Sequence, residues 1–159
     1  MKEDRRRICV RGIIYKNGLL FCQELKNSDG SGRGFWCTPG GGLEPHESLL
    51  AGVRRELIEE TGITPVVGKL LFVQQYSENK PSSDHSVSEY LEFFFHIENP
   101  DDFDNIDLEA TSHGTIEVSR CGFIDPRTSG VLPKFLQDID LESYLTHDKP
   151  VYVYDEFNQ

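Results

Sequence analysis

Apolar positions along this chain recur with two periods, and the switches between them divide it into strands set around one long helix. Ile8 to Tyr15 reads as a strand, Asn17-Gly18 supplies a hairpin turn, and Leu19 to Leu25 returns as a second strand. Lys26 to Gly34 is a Gly/Ser/Asp loop, followed by a short apolar piece at Phe35-Trp36-Cys37. From Pro45 to Thr61 the period lengthens: Leu49, Val53 and Leu57 fall at i, i+4 and i+8, and Gly62 stands where a helix C-terminus favours glycine. Val66 to Tyr76 and Val87 to Ile97 return to strand character, separated by a polar loop from Ser77 to Ser86. Asn99 to Ser112 reads as an acidic loop and Thr115 to Ile124 as another strand. Pro133 can open a short helix at its first turn, and Asp140 can N-cap a second. Strands before and after a long helix predict an α+β domain with a mixed sheet and helices packed on it.

Composition changes this picture little. The chain has 159 residues, 37% hydrophobic and 27% charged, which suits one soluble domain spanning 1–159. No apolar run approaches the roughly 20 residues that span a bilayer, and Met1 to Arg7 has no following apolar signal region, so a cytoplasmic location is expected and no membrane partner. Cys9, Cys22, Cys37 and Cys121 are scattered, with no CxxC pair, and read as reduced packing residues. A net charge of −11 argues against nucleic acid as a partner, although Arg5-Arg6-Arg7 is locally basic. A polyanionic small molecule remains compatible, provided cations neutralise it locally.

Charge changes the picture most within the long helix. At about 100° per residue, Glu59 and Glu60 fall roughly 60° and 40° to either side of Glu56, so three carboxylates share one patch near the helix end. Like charges one turn apart oppose the helix by roughly 0.2–0.5 kcal/mol per pair, and the negative end of the macrodipole adds to the cost. A divalent cation reverses the sign of both terms. Arg55 lies four residues before Glu59, at salt-bridge spacing, and Glu47 falls in the first predicted turn, where a negative charge is favoured. Gly52, inside the helix, costs about 1 kcal/mol relative to Ala, explained by close packing against the sheet or by room for a phosphate. In Thr38-Pro39-Gly40-Gly41-Gly42, the missing Cβ atoms permit close approach of backbone to a ligand, which makes Gly41 and Gly42 candidates for substrate contact.

Gly41, five residues, Glu47, seven residues, then Arg55-Glu56-Leu57-Ile58-Glu59-Glu60-Thr61-Gly62-Ile63 resembles the Nudix box at every position of its signature. The resemblance extends more loosely to Trp36 through Gly42 and to Phe123-Ile124-Asp125-Pro126. It implies an α/β/α sandwich with a mixed central sheet, the box forming a loop-helix-loop. It also implies hydrolysis of a nucleoside diphosphate linked to another group X, with Mg²⁺ or Mn²⁺ as cofactor and a small nucleotide derivative as partner. Glu56 and Glu60 are then the expected direct ligands, Glu59 a third ligand or the base, and the Gly40 carbonyl a further oxygen donor. Arg55 is expected to orient the glutamates and Glu47 to support the box loop.

Relatives often employ an acidic residue outside the box; Glu109 and Glu117 are the candidates, with Glu89 and Glu92 weaker. Arg33 and Lys26 can meet phosphates or stay solvated. Trp36, Phe35, Tyr76 and Tyr90 either stack on a base or fill the core, the core being favoured for most. Pro81 sits after the box loosely as in ADP-ribose hydrolases. Homodimers are common in the family, and Tyr90 to Phe95 reads as core or interface. Two other readings are a nucleotide-sensing regulator with little catalysis and, more remotely, an isoprenoid diphosphate isomerase.

Overall fold

The computed structural model describes residues 6–77 and 89–155. The predicted loop from Ser77 to Ser86 falls, apart from Ser77, outside them, and so do Pro81, Val87 and Arg5. Ten strands are present among the described residues: β1 (Arg6–Ile13), β2 (Tyr15–Lys16), β3 (Leu19–Leu25), β4 (Trp36–Cys37), β5 (Gly40–Gly42), β6 (Val67–Ser77), β7 (Glu89–Ile97), β8 (Val118–Ile124), β9 (Val131–Leu132) and β10 (Tyr152–Asp155). The helices are α1 (Leu49–Thr61), α2 (Gly114–Glu117), α3 (Phe135–Asp138) and α4 (Leu141–Thr146).

The strands make two sheets. The first has the order β10-β6-β7-β1-β5 and is mixed: β10 runs parallel to β6 and β1 to β7, while β6 and β7, and β1 and β5, are antiparallel. The second joins β2, β3, β4 and β9, with β8 paired to β3. One expected strand, Ile8 to Tyr15, is therefore two. Alternation sends Val10 to one face of the sheet and Ile13 to the other, and the chain leaves the first sheet at Ile14 so that only Tyr15 and Lys16 pair back on β3. The Asn17-Gly18 turn is present, both residues holding positive φ of 52° and 77°, as a tight hairpin requires.

Two cores fill the layers. Val10, Ile14, Phe21, Phe95 and Ile97 pack under Val53 and Leu57 of α1. Ile13, Leu20, Phe72 and Phe94 pack with Phe135, Leu136 and Leu141 of α3 and α4. The fold is thus a mixed α+β sandwich. β7 lies between β6 and β1 with Phe94 and Phe95 buried, which assigns those aromatics to the core. All four cysteines are free. Among the described residues no helix is long and apolar enough to cross a membrane.

Three boundaries differ from the sequence expectation. The long helix starts at Leu49, because Ser48 caps it by accepting the Ala51 N–H at 3.1 Å, leaving Pro45 to Glu47 in the preceding loop. Glu47 is therefore outside the first turn, and the macrodipole does not explain it. The predicted Thr115 to Ile124 strand begins at Val118; Gly114 to Glu117 forms the single turn α2, anchored by the Glu117 N–H donating to the His113 carbonyl. Pro133 precedes α3 instead of occupying its first turn. Asp140 does cap α4, accepting from the Ser143 N–H.

Candidate active site

The last two turns of α1 face β5, and Gly40, Gly41 and Gly42 make that approach possible. The Glu56 carboxylate lies directly on Gly41: a Cβ there would stand 2.6–2.8 Å from its carboxyl atoms. Gly40 has φ of 143°, and a Cβ on it would overlap the Val10 carbonyl oxygen. Gly52 is explained by packing, since a Cβ would strike Leu43 and approach Val10; no phosphate is required. Gly62 ends the helix in the left-handed conformation, φ 74°, its N–H donating to the Ile58 carbonyl.

Arg55 organises the carboxylates. Its Nε and Nη2 donate to both oxygens of Glu47 at 2.7 and 3.0 Å, Nη1 donates to Glu56 at 2.9 Å and to Glu59 at 3.1 Å, and Nη2 also donates to the Gly42 carbonyl at 3.1 Å. A guanidinium has five N–H groups, and five contacts engage them. Arg55 is thus tied to the box loop and to two glutamates at once, which extends the simple i,i+4 pair expected from spacing. Glu47 closes the loop by accepting the Glu44 N–H at 3.0 Å.

The Arg55 hydrogen bonds, helped by the Glu44 N–H, pull the Glu47 carboxyl down to about 2 from 4.5. A carboxyl lowered on folding stabilises fully above its unfolded value, and the contribution is lost as pH falls toward the folded one. Glu47→Gln is accordingly expected to flatten the acid limb of the stability–pH curve between about 4.5 and about 2. Urea denaturation at both ends of that interval tests this; an unchanged acid limb would count against the pairing.

Glu60 is only 2% exposed, and its Oε2 accepts the Gly40 N–H at 2.9 Å. Burial pushes its carboxyl up to about 8, against the opposing influence of Gln23, Arg11 and the Gly40 N–H. The Gln23 amide lies beside this carboxyl, yet its Nε2 completes no hydrogen bond among the described residues. Glu56 is also raised, chiefly by burial, with Arg55 opposing. Behind Gly40, Arg11 donates through Nε to Glu92 at 2.7 Å and through Nη1 to the Gly40 carbonyl at 3.2 Å. At the helix end, the His113 N–H caps the Glu59 carbonyl at 3.0 Å and His113 Nδ1 stands 3.1 Å from Glu59 Oε2.

Arg11, Gly40, Arg55, Glu56, Glu59, Glu60, Glu92 and His113 line one groove of about 1120 Å³, which also receives Arg7, Cys9, Lys26, Arg33, Phe35, Gln74, Tyr76, Tyr90, Glu117 and Lys134. Arg33 is exposed at its edge, donating from Nε to the Lys26 carbonyl. Trp36 is not among the lining residues: it packs against the core with the Arg120 guanidinium 4.4 Å over its ring, and the neighbouring Phe35 faces the groove. Tyr76 and Tyr90, expected chiefly as core, stack on each other at 5.0 Å in the groove wall. Glu117 reaches the groove, Glu109 does not line it, and Glu89 pairs with Arg6. His113, Arg11 and Gln74 join the groove from outside the box. A charged Arg11 amid apolar β1, and Glu92 amid aromatics, are the sequence signals that point to a buried pair; His113 in a Ser/Thr-rich run carries none.

Among the described residues no group of three or more His, Cys, Asp or Glu side chains is arranged as a ready metal cage. The donor chemistry nonetheless fits a hard divalent ion. Glu56, Glu59, Glu60 and the Gly40 carbonyl offer only oxygen, and burial of Glu56 and Glu60 makes their negative charge unfavourable until further positive charge arrives.

The sequence places this geometry in a known family. Residues 5–126 match the NUDIX domain model, and the chain belongs to that family. It is 38% identical over 58 residues to the nucleoside triphosphatase NudI of an Enterobacter species, covering 36% of this chain and 41% of that protein. It is 35% identical over 81 residues to an ADP-ribose pyrophosphatase of Methanocaldococcus jannaschii, covering 51% of this chain and 46% of the relative. The chain therefore spans less than half the length of these curated relatives. The solution structure of the E. coli ORF135 protein shares the fold, with TM-score 0.65 at 19% identity, over 94% of this chain and 99% of that one.

Proposed function

We propose that residues 1–159 act as one domain that hydrolyses the pyrophosphate bond of a nucleoside diphosphate linked to a second group X, with Mg²⁺ or Mn²⁺ held by Glu56, Glu59, Glu60 and the Gly40 carbonyl. The observation that carries this reading is the approach of Glu56 and Glu60 to Gly41 and Gly40 of β5, with Arg55 holding Glu56 and Glu59 together, at the wall of a groove that also contains Lys26, Arg33 and Lys134. When bound, the cation offsets phosphate charge and acidifies water. The protein's own groups supply the rest. Arg55 orients Glu56 and Glu59, and the Gly40 N–H fixes Glu60; the greater exposure of the Glu59 side chain, 25% against 13% for Glu56, supports Glu59, when it is not a third ligand, as the base that accepts the proton of the attacking water. Water adds across the P–O–P linkage, and two phosphate-bearing products leave. The free cysteines accord with a cytoplasmic location.

Purified protein incubated with Mg²⁺ or Mn²⁺ and a panel of nucleoside di- and triphosphates, sugar nucleotides and dinucleotides is expected to turn over at least one of them and to stop on chelation. No turnover of any panel member would sink the reading. Tight nucleotide binding without cleavage would support the regulator alternative instead.

A further inference from the structure

The last turn of α1 ends against the turn that opens α2. A helix leaves its final carbonyls without partners of its own, and here the His113 N–H supplies one, donating to the Glu59 carbonyl at 3.0 Å. Gly114 makes the approach possible: a Cβ on it would collide with Thr111 Oγ and stand 3.1 Å from the Glu60 carbonyl oxygen. Its N–H donates to Thr111 Oγ at 2.8 Å. Further along, the turn is tied to Lys26, whose N–H donates to the Glu117 carbonyl at 2.8 Å and whose Nζ donates to the Thr115 carbonyl. The His113 ring is thus carried on backbone fastened both to α1 and to the residue that follows β3.

The two oxygens of Glu59 are treated differently. Oε2 accepts from Arg55 Nη1 at 3.1 Å and lies 3.1 Å from His113 Nδ1, while Oε1 has no hydrogen-bond partner among the described residues. A carboxylate can only accept, so Nδ1 carries a proton in this contact. That holds for the neutral ring and the charged one alike, and the contact therefore does not depend on titration. One donor comes from the preceding turn of α1 and the other from beyond its end. Arg55 divides its Nη1 between Glu56 and Glu59, which leaves one N–H for each. A carboxylate held by one hydrogen bond can swing about it. A second fixed donor on the same oxygen removes that freedom and leaves the other oxygen unoccupied.

We propose that His113 is a positioning residue for Glu59: its Nδ1–H shares Oε2 with Arg55, which leaves Oε1 as the oxygen that meets the cation or takes the proton of the attacking water. This deepens the proposed hydrolysis and rests on it for the work that Glu59 does. His113 acts through Glu59 and is given no contact with substrate. Without the ring, a single N–H of Arg55 holds the carboxylate, and either oxygen can turn toward the groove.

The test compares His113→Leu, which keeps bulk but has no donor, with His113→Asn, whose side-chain N–H can stand close to the position of Nδ1. Both keep the backbone cap, so melting midpoints within a few degrees of wild type are expected. His113→Leu is expected to lower kcat by about tenfold or more with KM little changed, as for loss of an outer partner of a working carboxylate. His113→Asn is expected to restore most of that loss. An undiminished kcat in folded His113→Leu, or an equal loss in both variants, overturns the inference and leaves the proposed hydrolysis standing. If no nucleotide is hydrolysed, the hydrolysis reading fails separately, and the contact is decided without turnover. Nitrogen NMR of the His113 ring in metal-free wild type is expected to show a proton on Nδ1 that exchanges with water about tenfold or more slowly than in Glu59→Ala. A bare Nδ1, or exchange unaffected by Glu59→Ala, overturns the inference whether or not any nucleotide is cleaved.

Discussion

Glu60→Gln is expected to lose catalysis and gain stability at the same time. Outer partners of metal donors cost about 10–100-fold when removed, and a donor itself costs no less, so turnover should fall by roughly 10²-fold or more. The stability gain follows from burial. The Glu60 carboxyl is raised from 4.5 to about 8, so folding favours its protonated form. A group raised on folding contributes stability below its unfolded value and loses it as pH climbs toward the folded one. In metal-free protein, Gln, which never ionises, should therefore melt higher than Glu, by a margin that widens between pH 4.5 and about 8. Added Mg²⁺ should narrow that margin by stabilising wild type alone. Melting curves with chelator across this interval, paired with turnover at saturating Mg²⁺, decide the matter. Equal pH dependence in the two proteins would count against the raised carboxyl, and unchanged turnover would remove Glu60 from the proposed ligand set.

Gly40→Ala is expected to cost about 3–5 kcal/mol, combining a backbone conformation that L-residues rarely adopt with a collision that β5 cannot avoid. The φ of 143° is nearly reserved for glycine, and the new Cβ would overlap the Val10 carbonyl oxygen on the adjacent strand. Relief requires β5 to move from β1, which would pull the Gly40 N–H from Glu60 and the Gly40 carbonyl from Arg11. For a domain of this size the melting midpoint should drop by about 10 °C or more. A midpoint within a few degrees of wild type would show that β5 tolerates the shift.

What the sequence revealed was local. Arg55, Glu56, Glu59 and Glu60 on the helix, the Asn17-Gly18 turn, the Gly62 cap and the Asp140 cap all depend on neighbours within a few positions, and each is where the pattern places it. The helix starts later than its pattern implies because the apolar stripe through Leu49 says nothing about where the first turn closes; Ser48 decides that through one hydrogen bond. The break at Ile14 was hidden because both halves of the segment are apolar, and only the division between two cores shows which sheet each half serves. The site was legible as far as α1 reaches. Arg11 of β1 with Glu92 of β7, and Glu92 with Gln74 of β6, come together through strand register, which no spacing along the chain encodes. His113 reaches Glu59 only because the turn before α2 caps the end of α1.

The sheet face that carries Phe72 and Phe94 in the core carries Gln74 and Glu92 in the groove, two residues further along the same strands. Groove floor and core therefore share one rigid plate. A change of volume at Phe72 or Phe94 is expected to displace Gln74 and Glu92 with it, so along β6 and β7 the groove can be reshaped only in step with the interior.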